Sequence, residues 1–149
     1  MSALDAGSRF EQFEHGADVG VRGRGETPSR AFEAAAQALF LLLAADPRTV
    51  REERGEQVTC RATGLEELLV AFLNELIFLA DTRRLVFGRF EVRIQEGEVP
   101  GFLLEARAFG ERYDPSRHEA TVEPKGATFT ALRVAREGET WVAQCVVDV

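Results

Sequence analysis

Three side chains capable of acid–base or metal chemistry lie close together near the start of the chain. The segment FEHGADVG, residues 13–20, contains Glu14, His15 and Asp18 at the entrance to an alternating apolar stretch. Two carboxylates and an imidazole at such spacing could bind a cation or exchange a proton with a substrate. A carboxylate beside a turn glycine is more often a solvated loop residue or a helix cap, and the spacing alone favours that ordinary role.

The last two residues offer a second set of oxygen ligands. The Asp148 side chain and the terminal carboxylate of Val149 are one residue apart at the end of the segment VVDV. Two anions held close together repel, and a hard cation such as Ca²⁺ or Mg²⁺ relieves that repulsion. Asp18 is the natural third ligand if its strand neighbours the last strand. The alternative is a frayed terminus with both carboxylates in water, which is common at chain ends.

A third group of acids, arginines and a histidine lies in the polar segment GERYDPSRH, residues 110–118. General acid–base catalysis would need these groups to converge on one substrate, and the sequence alone does not establish that convergence. His118 lies between Arg117 and Glu119, which fits a surface ion-pair partner better than a catalytic group. Residues 110–124 are interpreted as a long ordered loop, and loops of that length are often functional.

The patterns between these groups predict the elements that must position them. Strands are predicted at residues 18–24, 57–62, 85–94, 102–109, 131–136 and 141–148. One helix is predicted from Pro28 towards Pro47, and a second from a capping box of Thr63 and Glu66. We therefore expect an α+β fold, a single domain with two helices packed on one face of a mixed β-sheet and a terminal β-hairpin. Residues 10–149 are expected to form this domain, and residues 1–9 a flexible N-terminus.

Composition argues against several classes of function. The 149 residues include 18 Lys and Arg against 25 Asp and Glu, a net charge of −7, so stable nucleic-acid binding is not expected. The sequence has no GxxxxGK loop, HExxH helix, GxSxG elbow or Cys/His cluster, which argues against a self-sufficient enzyme of a common class. With no secretory signal or long apolar run, a cytoplasmic protein without a membrane span is expected. Cys60 and Cys145 are expected to be buried, reduced thiols.

Four segments together resemble the archease family, the partner proteins of RtcB-type tRNA-splicing ligases. They are FEHGADVG at 13–20, FLNELIFLADTRRLVF at 72–87, GERYDPSRHE at 110–119 and the ending VVDV. The likeness extends from Phe10 to Val149 with the segments in the family's order. Two departures are present, because the family's usual HTAD is HGAD here and its KAVTYH is KGATFT, without the histidine. Neither departure removes a proposed ligand, although Gly16 is expected to loosen the backbone that aims Asp18.

The resemblance implies a function and a site. It implies an accessory protein, not itself an enzyme, that promotes guanylylation and repeated turnover of an RtcB-type RNA ligase in tRNA splicing or RNA repair. It also implies a cation site formed by Asp18, Asp148 and the carboxylate of Val149, with Ca²⁺ expected and Mg²⁺ or Mn²⁺ as alternatives. A chaperone-like modulator of several protein clients is the second interpretation. A small metal-dependent hydrolase using Asp18, His15 and His118 is a third, and it lacks a recognisable nucleophile or base.

Overall fold

The computed structural model describes residues 9–97 and 100–149, which form one α+β domain. Its strands are β1 (Phe10–His15), β2 (Asp18–Gly25), β3 (Arg54–Ala62), β4 (Leu85–Glu96), β5 (Phe102–Arg112), β6 (Gly126–Ala127), β7 (Arg133–Glu137) and β8 (Thr140–Asp148). Its helices are α1 (Pro28–Phe40), α2 (Leu65–Arg83) and the single turn α3 (Pro115–His118), with a short 3₁₀ turn at Pro47–Thr49. The predicted α+β class and terminal hairpin are confirmed. The predicted flexible segment 1–9 lies, except for Arg9, outside the described residues.

The strands divide into two antiparallel sheets, where a single mixed sheet was expected. The first sheet has the order β1-β2-β8-β6, with β7 also paired to β8, and the second has the order β3-β5-β4. Strands β3 and β4 run in the same direction and are joined through α2, as in a parallel unit. Because β5 lies between them and pairs with both, every neighbour in this sheet is antiparallel.

Both helices lie between the two sheets rather than on one face of a single sheet. Helix α1 contacts β2 and β8 of the first sheet and β4 of the second, while α2 contacts β3 as well as β6 and β7. The helices meet where the rings of Phe32 and Phe72 stack, with centroids 6.2 Å apart. A helix that is apolar around most of its circumference needs cover on two sides, and this explains the arrangement. Within the described ranges, no helix is long and apolar enough to cross a membrane.

The helix ends differ in how well the sequence predicted them. Thr27 caps α1 as expected, accepting a hydrogen bond from the Arg30 backbone N–H at 3.2 Å, but the helix ends at Phe40, before Pro47. The capping box predicted for α2 does not form. Gly64 is the N-cap residue, so the third helical position falls one residue later than the box requires, at Glu67. The Thr63 hydroxyl instead donates to the Glu67 carboxylate at 3.1 Å.

Candidate functional site

The pairing of β2 with β8 brings the carboxylates of Asp18 and Asp148 to neighbouring strands. The register places Val19 opposite Val147, so the next position in each strand sets Asp18 against Asp148 on the same face of the sheet. The backbone N–H of Val149 donates a hydrogen bond to Asp18 Oδ1 at 3.2 Å. The condition that the sequence left open, that the strand of Asp18 neighbours the last strand, is therefore met.

The opposite edge of β8 is also paired at this end. Gly126 of β6 lies opposite Asp148, and the backbone N–H of Lys125 donates to the Asp148 carbonyl oxygen at 2.8 Å. The backbone of Asp148 is thus tied to strands on both sides, whereas its side chain is exposed. The backbone is therefore paired up to Asp148, although the Asp148 carboxylate itself is exposed to solvent. Pairing on both edges orients the Asp148 carboxylate towards the face that carries Asp18.

The tight turn before Asp18 places His15 beside it. Strands β1 and β2 are joined by the two-residue loop Gly16–Ala17, and the register sets His15 opposite Asp18. Gly16 has φ +61°, with no atom within 4 Å of the position its Cβ would occupy. A positive φ at the first loop residue is the requirement of a type II′ hairpin turn, and glycine meets it without steric cost. His15, Asp18 and Asp148 consequently lie in one row across three strands.

Within the described ranges, three of the four side-chain oxygens of Asp18 and Asp148 have no protein partner. Asp18 Oδ2 and both carboxylate oxygens of Asp148 accept no hydrogen bond and form no ion pair with any residue in the described ranges. Like charges on directly opposed strand positions repel one another. The described residues contain no cluster of three His, Cys, Asp or Glu side chains that could hold a metal ion. The two aspartate side chains are therefore not, by themselves, a complete ligand set for a metal ion.

The histidine of the second candidate segment is buried elsewhere. His118 is 1% exposed, its Nδ1 accepts a hydrogen bond from the Asp114 backbone N–H at 2.8 Å, and its Nε2 lies 2.9 Å from Glu111 Oε2. An imidazole that accepts at Nδ1 carries its proton at Nε2, which donates to the Glu111 carboxylate. His118 is thus a buried partner of Glu111, where a surface ion-pair partner was predicted. Both ring nitrogens are engaged and the side chain is buried, so His118 is not available to act on a substrate together with Asp18 and His15.

Glu111 organises the segment that the sequence assigned to a loop. Its carboxylate, 3% exposed, accepts hydrogen bonds from the guanidinium of Arg117 and from the backbone N–H of Arg51 at 2.8 Å. The Arg117 guanidinium holds the pKa of Glu111 low, and the Arg51 amide and His118 add to this effect against the opposing effect of burial, giving a pKa of about 2. Arg117 also donates to the Thr49 carbonyl oxygen at 2.9 Å. These contacts tie β5, α3 and the 3₁₀ turn into one unit.

Comparison with known proteins identifies the class. The sequence model of the archease protein family matches residues 10–149. The archeases of Pyrococcus furiosus and Thermococcus gammatolerans are 37% and 42% identical to this chain, each over 95% of this chain and 99% of the relative. The chain belongs to the archease family.

Solved structures share the fold. The solution structure of Methanobacterium thermoautotrophicum protein 1598 superposes with a TM-score of 0.82 at 30% identity, covering 95% of this chain and 99% of that one. An archease, possible chaperone, from Thermotoga maritima superposes with a TM-score of 0.52 at 17% identity, covering 92% and 94%. The second likeness concerns the fold alone.

Proposed function

We propose that this protein is a non-catalytic activator of an RtcB-type RNA ligase, promoting its guanylylation and repeated turnover in tRNA splicing or RNA repair. Membership of the archease family supports the proposal. The single structural observation that carries it is the β2–β8 pairing, which sets Asp18 against Asp148 with the Val149 backbone hydrogen-bonded to Asp18. Asp18 and Asp148, near opposite ends of the chain, thereby offer carboxylate oxygens at one point on the surface.

Asp18, Asp148 and the terminal carboxylate of Val149 are the proposed cation ligands. All three are hard oxygen donors, which favours Ca²⁺, with Mg²⁺ or Mn²⁺ as the alternatives. A cation there would offset the negative charge that develops on phosphate oxygens during nucleotidyl transfer by the ligase. The role of the chain is positional: the Val149 N–H fixes the Asp18 carboxylate, and β6 fixes the backbone of Asp148.

The partner proposed for this surface is a protein rather than RNA. The net charge of −7 disfavours direct contact with a phosphate backbone, which binds through Lys and Arg. An acidic accessory protein can approach a ligase that itself holds the RNA, and electrostatic attraction to a basic ligase surface would speed their encounter. We expect this to take place in the cytoplasm.

Multiple-turnover ligation by the RtcB-type ligase of the same organism, with GTP and Mn²⁺, tests the proposal. The wild-type protein should raise the number of turnovers per ligase. Asp18→Asn retains an oxygen that can accept the Val149 hydrogen bond but removes the charge, so this variant and Asp148→Asn should fold and fail to stimulate. Glu14→Gln is the matched control, because Glu14 is an exposed acid of the same hairpin outside the proposed ligand set. Unchanged stimulation by both aspartate variants would contradict the assigned ligands.

Extending the chain beyond Val149 tests the third ligand separately. A single added glycine converts the Val149 carboxylate into an amide and displaces the negative charge. Stimulation should fall while thermal unfolding stays close to that of the wild-type protein. Full stimulation by the extended chain would exclude the Val149 carboxylate from the site.

A chaperone-like modulator of several clients is the second candidate. The Thermotoga maritima relative is named a possible chaperone, and Phe78 and Phe129 are exposed aromatic side chains to which an unfolded client could bind. This function predicts that the protein suppresses aggregation of a denatured test protein. It also predicts that Asp18→Asn and Asp148→Asn leave that activity unchanged, which separates it from ligase activation.

A further inference from the structure

A pocket of about 180 Å³ opens beside the C-terminal end of α2. Its apolar walls are formed by Leu43, Leu85 and Tyr113. Three charged side chains also line it: Asp81, Arg84 and Glu123. Pockets that take small-molecule ligands are typically about 300 to 1,000 Å³. This pocket is below that range, and its size suits one inserted side chain rather than a metabolite.

The walls of the pocket are held in place by hydrogen bonds. The Tyr113 backbone N–H donates to the Arg84 carbonyl oxygen at 2.7 Å, and the Tyr113 hydroxyl accepts from the Ala120 backbone N–H at 3.0 Å. The Tyr113 ring also packs on His118, with centroids 5.5 Å apart. Arg84 follows α2 with φ +54°, the left-handed conformation that turns the chain into β4. The pocket is therefore preformed, and the ordering cost on binding falls mainly on the incoming group.

The charge of the lining favours a cation. Asp81 and Glu123 contribute two negative charges and Arg84 one positive charge, and within residues 9–97 and 100–149 none of the three forms an ion pair. Two carboxylates over an apolar wall complement a side chain with an apolar stem and a positive head, which describes arginine and lysine. A neutral apolar side chain would leave both carboxylates partly desolvated without compensation.

Two neighbouring features connect the pocket to the rest of the acidic surface. Phe78, 59% exposed, precedes Asp81 by three residues and so lies beside it on the surface of α2. Glu123 is two residues before Lys125, whose backbone N–H is bonded to the Asp148 carbonyl oxygen. Two extended residues span at most about 7 Å. The backbone of Glu123 therefore lies close to the end of β8 that carries Asp148.

We infer that this pocket receives an arginine or lysine side chain from the protein partner, whose apolar surface covers Phe78. The inference rests on the proposed function, since the partner is taken to be the ligase, and it adds the point of attachment. The carboxylate pair acts on the ligase reaction, whereas the pocket and Phe78 supply affinity. Loss of the carboxylate pair should lower the maximum stimulation of the ligase. Loss of the pocket or of Phe78 should instead raise the protein concentration needed to reach that maximum.

The effect on affinity and the effect on maximum stimulation can be separated by titrating variants into the ligation assay. The variants are Asp81→Asn, Glu123→Gln, the double variant Asp81→Asn/Glu123→Gln, and Phe78→Ala. Each single substitution should raise the half-maximal concentration about fivefold, and the double variant more than tenfold, with the maximum stimulation retained. The double variant Glu26→Gln/Glu139→Gln is the matched control. It removes the same charge from exposed acids in the β2–α1 and β7–β8 connections. Raising the salt concentration should weaken the wild-type protein more than the double pocket variant.

The outcomes distinguish the two proposals. If the wild-type protein does not stimulate the ligase at any concentration, the proposed function fails. If it stimulates, and the pocket variants reach half-maximal effect at the same concentration as the control, the proposed function stands and the docking pocket is wrong. A pocket variant that folds but loses maximum stimulation at saturating concentration would also overturn the inference, because it would place the pocket in the activation step.

Discussion

The guanidinium of Arg117 donates two hydrogen bonds to the carboxylate of Glu111, at 2.6 Å to Oε1 and 3.0 Å to Oε2. Glu111 is almost fully buried, at 3%, while the Arg117 side chain retains 29% of its exposure. A buried carboxylate depends on its partner, because the charge has lost most of its hydration. The pair connects the end of β5 with α3, and it explains how a polar segment without apolar periodicity is nonetheless ordered.

Removing Arg117 should therefore destabilise the domain strongly. We expect Arg117→Ala to lower the free energy of unfolding by about 3 kcal/mol, the lower end of the range for breaking a buried ion pair. Chemical denaturation measures the change. Arg93→Ala is the control, because the Arg93–Glu105 pair is 3.4 Å long with Arg93 75% exposed. An exposed pair of this kind contributes about 0 to 1 kcal/mol. Equal losses in the two variants would contradict the role given to Glu111.

Glu111 should also make stability depend on pH in the acid range. Arg117 foremost lowers the pKa of Glu111 from 4.5 to about 2 in the folded protein. A depressed folded-state pKa adds stability that is fully present above the unfolded value and is lost as pH falls towards the folded value. The unfolding free energy of the wild-type protein should thus fall between about pH 5 and pH 2. The difference in unfolding free energy between the wild-type protein and Glu111→Gln should shrink over the same pH range. A difference that stays constant with pH would show that Glu111 is not the titrating group.

Gly23 allows α1 to approach β2, the strand that begins with Asp18. A Cβ at Gly23 would lie 2.2 Å from the Ala35 backbone nitrogen and 2.3 Å from the Ala31 carbonyl oxygen. Backbone cannot yield as a flexible side chain can, so Gly23→Ala should cost about 3 kcal/mol or more. Gly138→Ala is the control. A Cβ at Gly138 would meet no atom within 4 Å, but the residue has φ +67°. The substitution should therefore lower the free energy of unfolding by about 1 to 2 kcal/mol. Denaturation curves in which Gly23→Ala is the milder change would refute the close approach.

Both cysteines should be inert in the folded protein. Cys60 and Cys145 are buried free thiols, as the sequence predicted. Burial raises the pKa of Cys60 to about 11, with Glu75 adding to the effect, and burial raises the pKa of Cys145 to about 12. Because the thiolate is the reactive form, a thiol-specific reagent at neutral pH should modify neither residue until the protein is denatured. Rapid modification of either thiol under native conditions would contradict this expectation.

Elements with strong apolar periodicity could be predicted from the sequence, and elements without it could not. In β8 the inward positions are Trp141, Ala143, Cys145 and Val147, and the predicted strand matches the observed one closely. In β1, Gln12 is an exposed residue between the half-buried Phe10 and the exposed Glu14, and it donates from Nε2 to the Ala38 carbonyl oxygen at 3.1 Å. A side-chain amide that satisfies a helix end replaces an apolar contact there. The alternation that signals a strand is therefore absent, and the sequence predicts no strand at β1.

The candidate site depends on pairing that no local pattern contains. Asp18 and Asp148 each sit in a recognisable strand, but their adjacency follows from the β2–β8 register, which joins distant parts of the chain. The resemblance to the archease family implies three ligands, Asp18, Asp148 and Val149, whereas the structure shows only that Asp18 and Asp148 lie on neighbouring strands. Burial of Glu111 was equally invisible, because Glu111 does not continue the alternate positions Leu104, Ala106 and Ala108 that β5 turns to the core. It is covered by α3 and by the segment around Arg51.

Cation binding at Asp18 and Asp148 should be measurable without the ligase. A ligand that binds only the folded state stabilises it by about 2.7 kcal/mol at about 100 times its Kd, so Ca²⁺ should raise the Tm above that in a chelator. Asp18→Asn and Asp148→Asn should each abolish the increase. They should also raise the Tm measured in the chelator or leave it unchanged, since each removes one of two mutually repelling charges.

Glu14→Gln controls for a general effect of charge, because Glu14 is exposed on the same hairpin and outside the proposed ligand set. This variant should respond to Ca²⁺ as the wild-type protein does. Repeating the thermal unfolding measurements with Mg²⁺ and Mn²⁺ shows which ion stabilises the protein most. Ca²⁺ is expected to raise the Tm most, because carboxylate oxygens with adaptable geometry favour it. Equal shifts for the wild-type protein and both aspartate variants would place any bound cation elsewhere. No shift with any of the three ions would remove the metal from the proposed function while leaving the paired carboxylates to act directly on the partner.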